Sequence, residues 1–224
     1  MCKSKKVKKA LSPSRNHESA KTTATSPSLL SDGIDESNPL FFYMPDAAHG
    51  EFCQWFSANF QVSREKIAVL IGQKPDDQPA ETHDDLITFN CAEQFMMICK
   101  AGRFGDRETQ RRIMSADSPK EQKRMGKLTE GFTSCHWDPV KSDVVVAGNI
   151  AKFGHNPKLK NKLLATGQRL LVEAASRDPV WGIGYTEKHA MQFRKHWGEN
   201  QLGKALMAAR QHLRNENEHQ LTWH

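Results

Sequence analysis

Three helix-start signals of one form, Ser118-Pro119, Asp138-Pro139 and Asn156-Pro157, cut the C-terminal half of this chain into short helices. In each, a side-chain oxygen precedes a proline whose missing N–H costs nothing in a first helical turn. Glu121 stands three residues after Ser118, and Gly126 and Gly167 supply stops. The spacing predicts helices over 119–126, from 138 through Val144, Val145, Val146, Ile150 and Phe153, and from 157 through Leu159, Leu163 and Leu164. Residues 106–116 read as a further helix. A last one runs from about Asn200 with Leu202, Leu206, Ala209 and Leu213 on one face. Strand-like runs are short: 40–43, stopped by Pro45, and 170–174. Residues 67–71 and 86–89 read as a hairpin around a polar loop with Pro75, Asp76, Asp77 and Pro79, and 50–56 as an aromatic-rich loop or strand. With no β-α-β alternation and no Gly-x-Gly-x-x-Gly, a doubly wound sheet is improbable. The expectation is one α+β domain, predominantly helical with a few short strands.

A chain of 224 residues suffices for one substantial core, yet its hydrophobic share of 38% looks low for a compact enzyme. Residues 1–38 pull the average down, being rich in Ser, Thr and Lys, and cannot bury enough apolar surface to offset their ordering entropy. The expected organisation is therefore a disordered basic tail at 1–38, a folded domain at 39–215 and a C-terminal tail at 216–224. Lys3, Lys5, Lys6, Lys8 and Lys9 supply five positives against a net charge of +6, so the folded part is only mildly basic. Five cysteines without a Cys-x-x-Cys pair speak against a disulfide framework or zinc knuckle. Ten histidines without a His-Glu-x-x-His spacing announce no metal site, and the expected chemistry uses neither metal nor cofactor. No apolar run approaches the roughly 18 residues of a membrane span, and the start lacks the apolar stretch of a secretory signal. An intracellular protein, cytoplasmic or nuclear, is expected.

Residues 91–103 (CAEQFMMICKAGR) read as a helix that puts Glu93, Met97 and Lys100 on one stripe and Phe95, Ile98 and Cys99 on the other face. Glu93 and Lys100 lie roughly 10 Å apart along the axis, about the size of a sugar. The alternative is a capping box, Asn90-x-x-Glu93, in which the carboxylate merely satisfies a backbone N–H.

Six segments in order, 50–56 (GEFCQWF), 92–97 (AEQFMM) with Lys100-Ala101, 163–167 (LLATG), 171–174 (LVEA), 178–184 (DPVWGIG) and 200–207 (NQLGKALM), resemble the motifs of the NADAR family, also called YbiA-like. The resemblance covers about residues 40–214. It implies a mostly helical α+β fold and an N-glycosidase acting on a ribose C–N bond. The first expectation is removal of ADP-ribose from ADP-ribosylated guanine, with ADP-ribose or a nucleic acid carrying it as partner. The alternatives are hydrolysis of ribosylaminouracil intermediates of the riboflavin pathway, or a non-catalytic ADP-ribose or NAD-binding module. Residues 64–88 are longer and more polar than the corresponding link in compact bacterial relatives.

Breaking that bond leaves positive charge on the ribose, which a fixed carboxylate stabilises, and Glu93 is the candidate. It could act by charge stabilisation, as a general base on water or as a nucleophile. Lys100 could bind a sugar hydroxyl or phosphate or form a Schiff base with a ring-opened ribose. Asp178 is the third catalytic candidate, orienting a hydroxyl or capping its own turn. Trp181, before Gly182-Ile183-Gly184, can stack on a planar group while glycine N–H groups face oxygen. Glu173 could hold ribose hydroxyls, and Trp55 and Trp137 could wall a base. Asn200, Gly203 and Lys204 at a helix start suit phosphate, Lys204 above all. Arg103, Arg124 and Lys127 rank lower. Residues 187–198, with Lys188, His189, Arg194, Lys195 and His196, read as a basic loop that grips a nucleic-acid backbone or stays solvated.

Overall fold

One helix of this chain is buried nearly all round and another over its second half, and the rest of the molecule is arranged to cover them. In the computed structural model, which describes residues 33–73 and 85–221, these are α2 (Ala92–Arg103) and α5 (Ser134–Gly154). Around them, in chain order, lie β1 (Asp35–Phe42), a 3-10 turn (Gly50–Phe52), β2 (Phe60–Ser63), α1 (Arg64–Ile71) and β3 (Leu86–Phe89). After α2 come α3 (Arg107–Met114) and α4 (Pro119–Gly126); after α5 come α6 (Pro157–Ala165), β4 (Arg169–Glu173), α7 (Glu187–Ala190), a 3-10 helix (Met191–His196) and α8 (Gln201–Leu221).

Helices thus predominate, as expected, and the described strands form two separate two-stranded sheets. β1 pairs parallel with β4, with Leu40 opposite Leu171 and Phe42 opposite Glu173. The N–H of Ala174 donates to Phe42 O at 2.8 Å, so both strands end side by side. β2 and β3 run antiparallel, Phe60 opposite Phe89 and Ser63 opposite Leu86. Phe60, Phe89 and Phe95 meet under this pair, with ring centroids 5.1 to 6.1 Å apart. α8 packs on α5 and β4, and closes the core from the other side.

The segment 67–71 is helical, not a strand, and the hairpin partner of 86–89 is instead 60–63. Ser63 explains the difference: its hydroxyl accepts the Lys66 N–H at 3.2 Å as an N-cap, and Gly72 at φ +66° ends the helix. Ile67, Ala68 and Ile71 then share the buried face while Val69 is 66% exposed, a helical period hidden in a β-branched run. The polar loop with Pro75 and Pro79 lies outside the described residues. α5 begins at Ser134 and not at Asp138, with Pro139 inside it. Thr133 O accepts from His136 N and Trp137 N, both at 3.2 Å, and starts the extra turn. Residues 50–56 hold a 3-10 turn, and 187–196 are short helices in place of a loop. β1 starts at Asp35 and α8 runs to Leu221, so the described elements extend into both segments expected to be tails. Residues 1–32 lie outside the described part.

α2 and α5 approach closely at Gly148, where a β-carbon would fall 2.6 Å from Cδ1 of the fully buried Phe95 ring. Overpacking of this kind costs about 1–3 kcal/mol. Gly148→Ala is expected to lower stability by that amount, read from the urea midpoint at unchanged slope.

Candidate functional site

Between one face of α2, the 53–55 strap, α4 and the end of β4 lies a cavity of about 450 Å³. How α2 starts decides what faces it. Its N-cap is Cys91 and not Asn90: Cys91 Sγ accepts the Gln94 N–H at 3.4 Å. Gln94, at the third helical position, reaches back so that its Oε1 accepts Asn90 N–H at 2.9 Å. Its amide also donates to Ile113 O and Met114 O. The capping duty available to Glu93 is therefore taken one residue later, and the Glu93 carboxylate is left to the cavity.

Glu93 is only 4% exposed. Its Oε2 accepts the Trp55 indole N–H at 3.2 Å, and its own N–H donates to Gln54 O at 3.1 Å. Burial pushes the carboxyl pKa up and the nearby Asp178 adds to this, while the Lys123 ammonium and the Trp55 hydrogen bond work against it. The first turn of α2 also favours a negative charge here. Two helical turns on, Lys100 also lines the cavity with its Nζ 4.1 Å from the centre of the Phe132 ring. Desolvation and the Lys127 charge lower its pKa, against the pull of Glu93.

Trp55 is held in place from beneath. Lys152 of α5 is fully buried, and its Nζ donates to Glu51 O at 2.8 Å and Cys53 O at 2.9 Å, with the rings of Phe56 and Phe153 beside it. Burial depresses this amine to about 8, partly offset by Cys53, Cys91 and Glu51. Asn149, one turn earlier, donates to Gln54 Oε1 at 3.3 Å. Sequence reasoning missed Lys152, although a signal was present: Val145, Asn149 and Lys152 fall at i, i+4 and i+7 of an apolar helix face, where a lysine needs a buried partner.

The opposite wall comes from β4 and the loop that follows. Glu173 ends β4 and lines the cavity, and its Oε2 is buried without a hydrogen-bond partner. Its pKa is pushed up to about 7 by burial first and by Asp178 and Glu93, with Lys123 opposing. Asp178 Oδ1 accepts from Val180 N at 3.0 Å and Trp181 N at 2.8 Å, so it caps the turn that presents Trp181. Trp181 and Arg177 complete this side, while Lys123, Lys127, Tyr43 and Met44 stand at the mouth. The structure thus brings together Glu93, Lys100, Trp55, Glu173, Asp178 and Trp181 from three distant stretches of chain. Lys123 and Tyr43 are additions that no local pattern marks.

The remaining candidates sit elsewhere. Trp137 is 5% exposed within the core and does not line the cavity. Gly182 packs its Cα on β4, where a β-carbon would meet Glu173 O at 2.7 Å, and the N–H groups of Ile183 and Gly184 are bonded to Glu173 O and Ala175 O. The glycines there allow close packing of backbone on backbone. Asn200, at φ +52°, accepts from Glu173 N at 3.0 Å and donates to Leu171 O at 2.8 Å, a structural bracket between α8 and β4. Gly203 fits under it, since a β-carbon would fall 2.1 Å from Leu171 O. Lys204 is exposed on α8 and does not line the cavity. Arg103 donates to Ile71 O and His136 O, which ties helix ends together, and Arg124 pairs with Glu121 at 2.9 Å. Among the described residues no group of three metal-ligating side chains converges, and no helix is long and apolar enough to cross a membrane.

Trp55→Phe keeps the ring and removes the donor, so the Glu93 carboxyl is expected to titrate at a higher pH than in the wild type, as followed by carbon-13 NMR of labelled glutamate. For Lys152 the sign runs the other way. The unfolded chain holds this proton to its ordinary 10.5 and the folded chain only to about 8. Between those values the unfolded state binds more protons, and stability rises with pH. The stability difference between wild type and Lys152→Met is expected to move in favour of the wild type from pH 7 to 10, measured by urea denaturation at each pH.

Comparison with known proteins agrees with this architecture. The chain is 35% identical over 164 residues to the N-glycosidase R617 of Acanthamoeba polyphaga mimivirus, covering 71% of this chain and 85% of that protein. It is 32% identical over 114 residues to the N-glycosidase YbiA of Shigella boydii, covering 51% of this chain and 66% of that one. The NMR structure of the Escherichia coli protein YbiA superimposes with a TM-score of 0.58 at 24% identity, covering 82% of this chain and 89% of YbiA, and shares its fold. The NADAR domain profile matches residues 41–214, all the elements that build the cavity, and the chain belongs to the NADAR family.

Proposed function

We propose that this chain hydrolyses the C–N bond between a ribose and a base nitrogen, and that its substrate is ADP-ribosylated guanine in nucleic acid. The chain is an N-glycosyl hydrolase, in keeping with relatives that bear that activity in their names. The observation that carries the reading is Glu93, a carboxylate sunk in the cavity with a single indole donor. Departure of the base puts positive charge on the sugar. A desolvated anion stabilises that charge more than it stabilises the neutral ground state, which is the condition for lowering a barrier.

The surroundings suit an ADP-ribosyl group in particular. Lys123, Lys127 and Arg177 gather along the cavity and offer partners for two phosphates. Trp181 and the outer face of Trp55 give flat apolar surfaces for a base or ribose. The volume falls within the roughly 300–1,000 Å³ of small-molecule sites. Lys100, whose ammonium is weakened by burial, contacts the sugar end next to Glu93, and its neutral form is a nucleophile toward a ring-opened ribose.

The test is release of free ADP-ribose from an oligonucleotide carrying one ADP-ribosylated guanine. Glu93→Gln, which keeps shape and removes charge, is expected to lower kcat by about 10³-fold or more while ADP-ribose still binds within a few-fold, as measured by calorimetry. A variant that turns over like the wild type overturns the reading, as does a wild-type chain that binds ADP-ribose and releases none.

A further inference from the structure

Of the three carboxylates at this cavity, two have donors and one has none. Glu93 accepts the Trp55 indole N–H, and Asp178 accepts two backbone N–H groups of its own turn. Glu173 has its Oε2 buried with no partner at all, although it lines the same cavity from the end of β4. A buried oxygen left unsatisfied in an otherwise well-bonded wall calls for an explanation, and a ligand group that completes it is a natural one. We propose that Glu173 is the general acid of this site, delivering its carboxyl proton to the departing base as the ribose C–N bond breaks. The proposal rests on the N-glycosidase reading above and extends it.

The chemistry balances. The C–N bonding pair leaves with the base nitrogen, the Glu173 proton goes to the base, and Glu173 becomes a carboxylate. Water adds its oxygen to the ribose carbon, and the proton it loses restores the Glu173 carboxyl. Glu93 stays ionised facing the sugar. An indole N–H can only donate, and it is spent on Glu93, so a proton shared among these groups rests on the carboxyl without a donor. Burial raises both carboxyls, and the donor held by Glu93 alone separates them, which divides acid from charge-stabilising work.

Charges that face Glu173 come from each wall. Asp178 and Arg177 stand on its own loop, Glu93 and Lys100 on α2, Lys123 on α4 and Lys127 just past its end. From α8 the neighbour is the neutral Asn200, bonded to the Glu173 N–H. Burial, Asp178 and Glu93 favour the protonated form and Lys123 opposes it, which leaves Glu173 titrating at about 7, suited to proton donation at neutral pH.

Two substrates test this: the oligonucleotide with ADP-ribosylated guanine, and the same adduct methylated at guanine N7, whose fixed positive charge stabilises the departing base without a proton. Glu173→Gln is expected to slow the first by about 100-fold or more and the second by less than about 5-fold, with ADP-ribose binding retained. Equal slowing of both overturns the proposal and leaves the N-glycosidase reading standing. Cleavage of neither by the wild type overturns that reading, and this proposal with it. Should Glu173→Gln fail to bind ADP-ribose, the wild type decides. Its kcat/KM on the unmethylated adduct is expected to fall above pH 7, with no such fall on the methylated one; a fall on both overturns the proposal.

Discussion

Burying a carboxylate is expensive, and the cost of placing Glu93 almost out of water organises this molecule around its second helix. A single indole donor does not offset it. The compensation is spread over the helix N-terminus and the Lys123 and Lys127 ammonium groups across the cavity. Each of these depends on a different stretch of chain arriving in place. The strap with Gln54 and Trp55 is anchored by Lys152, a buried cation without a carboxylate within ion-pair distance among the described residues, which satisfies itself on two carbonyls. An anion above and a cation below the same strap thus stand against each other at a distance, neither neutralised by contact.

The two sheets are too small to be a platform in the usual sense. Their value is positional. The parallel pair ends with Phe42 beside Glu173, so the chain leaving β1 becomes the Tyr43–Met44 rim and the chain leaving β4 becomes the opposite wall. The antiparallel pair instead supports the aromatic cluster under Phe95, on the side of α2 that faces away from the cavity. α2 is therefore gripped from its apolar side while its N-terminal polar positions stay turned to the pocket.

Much of the helical architecture was legible because Pro and cap residues mark helix starts whatever the tertiary context. The stretch 119–126 and the start of α6 at Pro157 match the expected boundaries. Failure came where a cap was less familiar or a partner was remote. Ser63 is an ordinary N-cap, yet the β-branched residues after it outweighed it, and Cys91 is a weak acceptor that propensity ranks low. Glu93, Lys100, Asp178, Glu173, Trp55 and Trp181 were named from residue chemistry and family likeness, and the fold places all six around one cavity. Trp137 reads as ligand-facing from its aromatic ring, and Gly182, Asn200, Gly203 and Lys204 from motif or helix-start logic; the fold buries Trp137 and uses Gly182, Asn200 and Gly203 to join α8 and its loop to β4. The distinction between a residue that touches ligand and one that braces the wall behind it is tertiary, and period and spacing do not carry it.

The bracket made by Asn200 has a bearing on how a guest is accommodated. Its side chain, the glycine beneath it and the run of main-chain bonds from 182–184 to β4 leave the Glu173 wall no slack. The facing side ends in Lys123 and Lys127, long unbranched stems on and just after a short helix. Tolerance for bulkier or longer cargo accordingly resides in those two arms, which can swing, while recognition at the bond to be broken is set by masonry that does not.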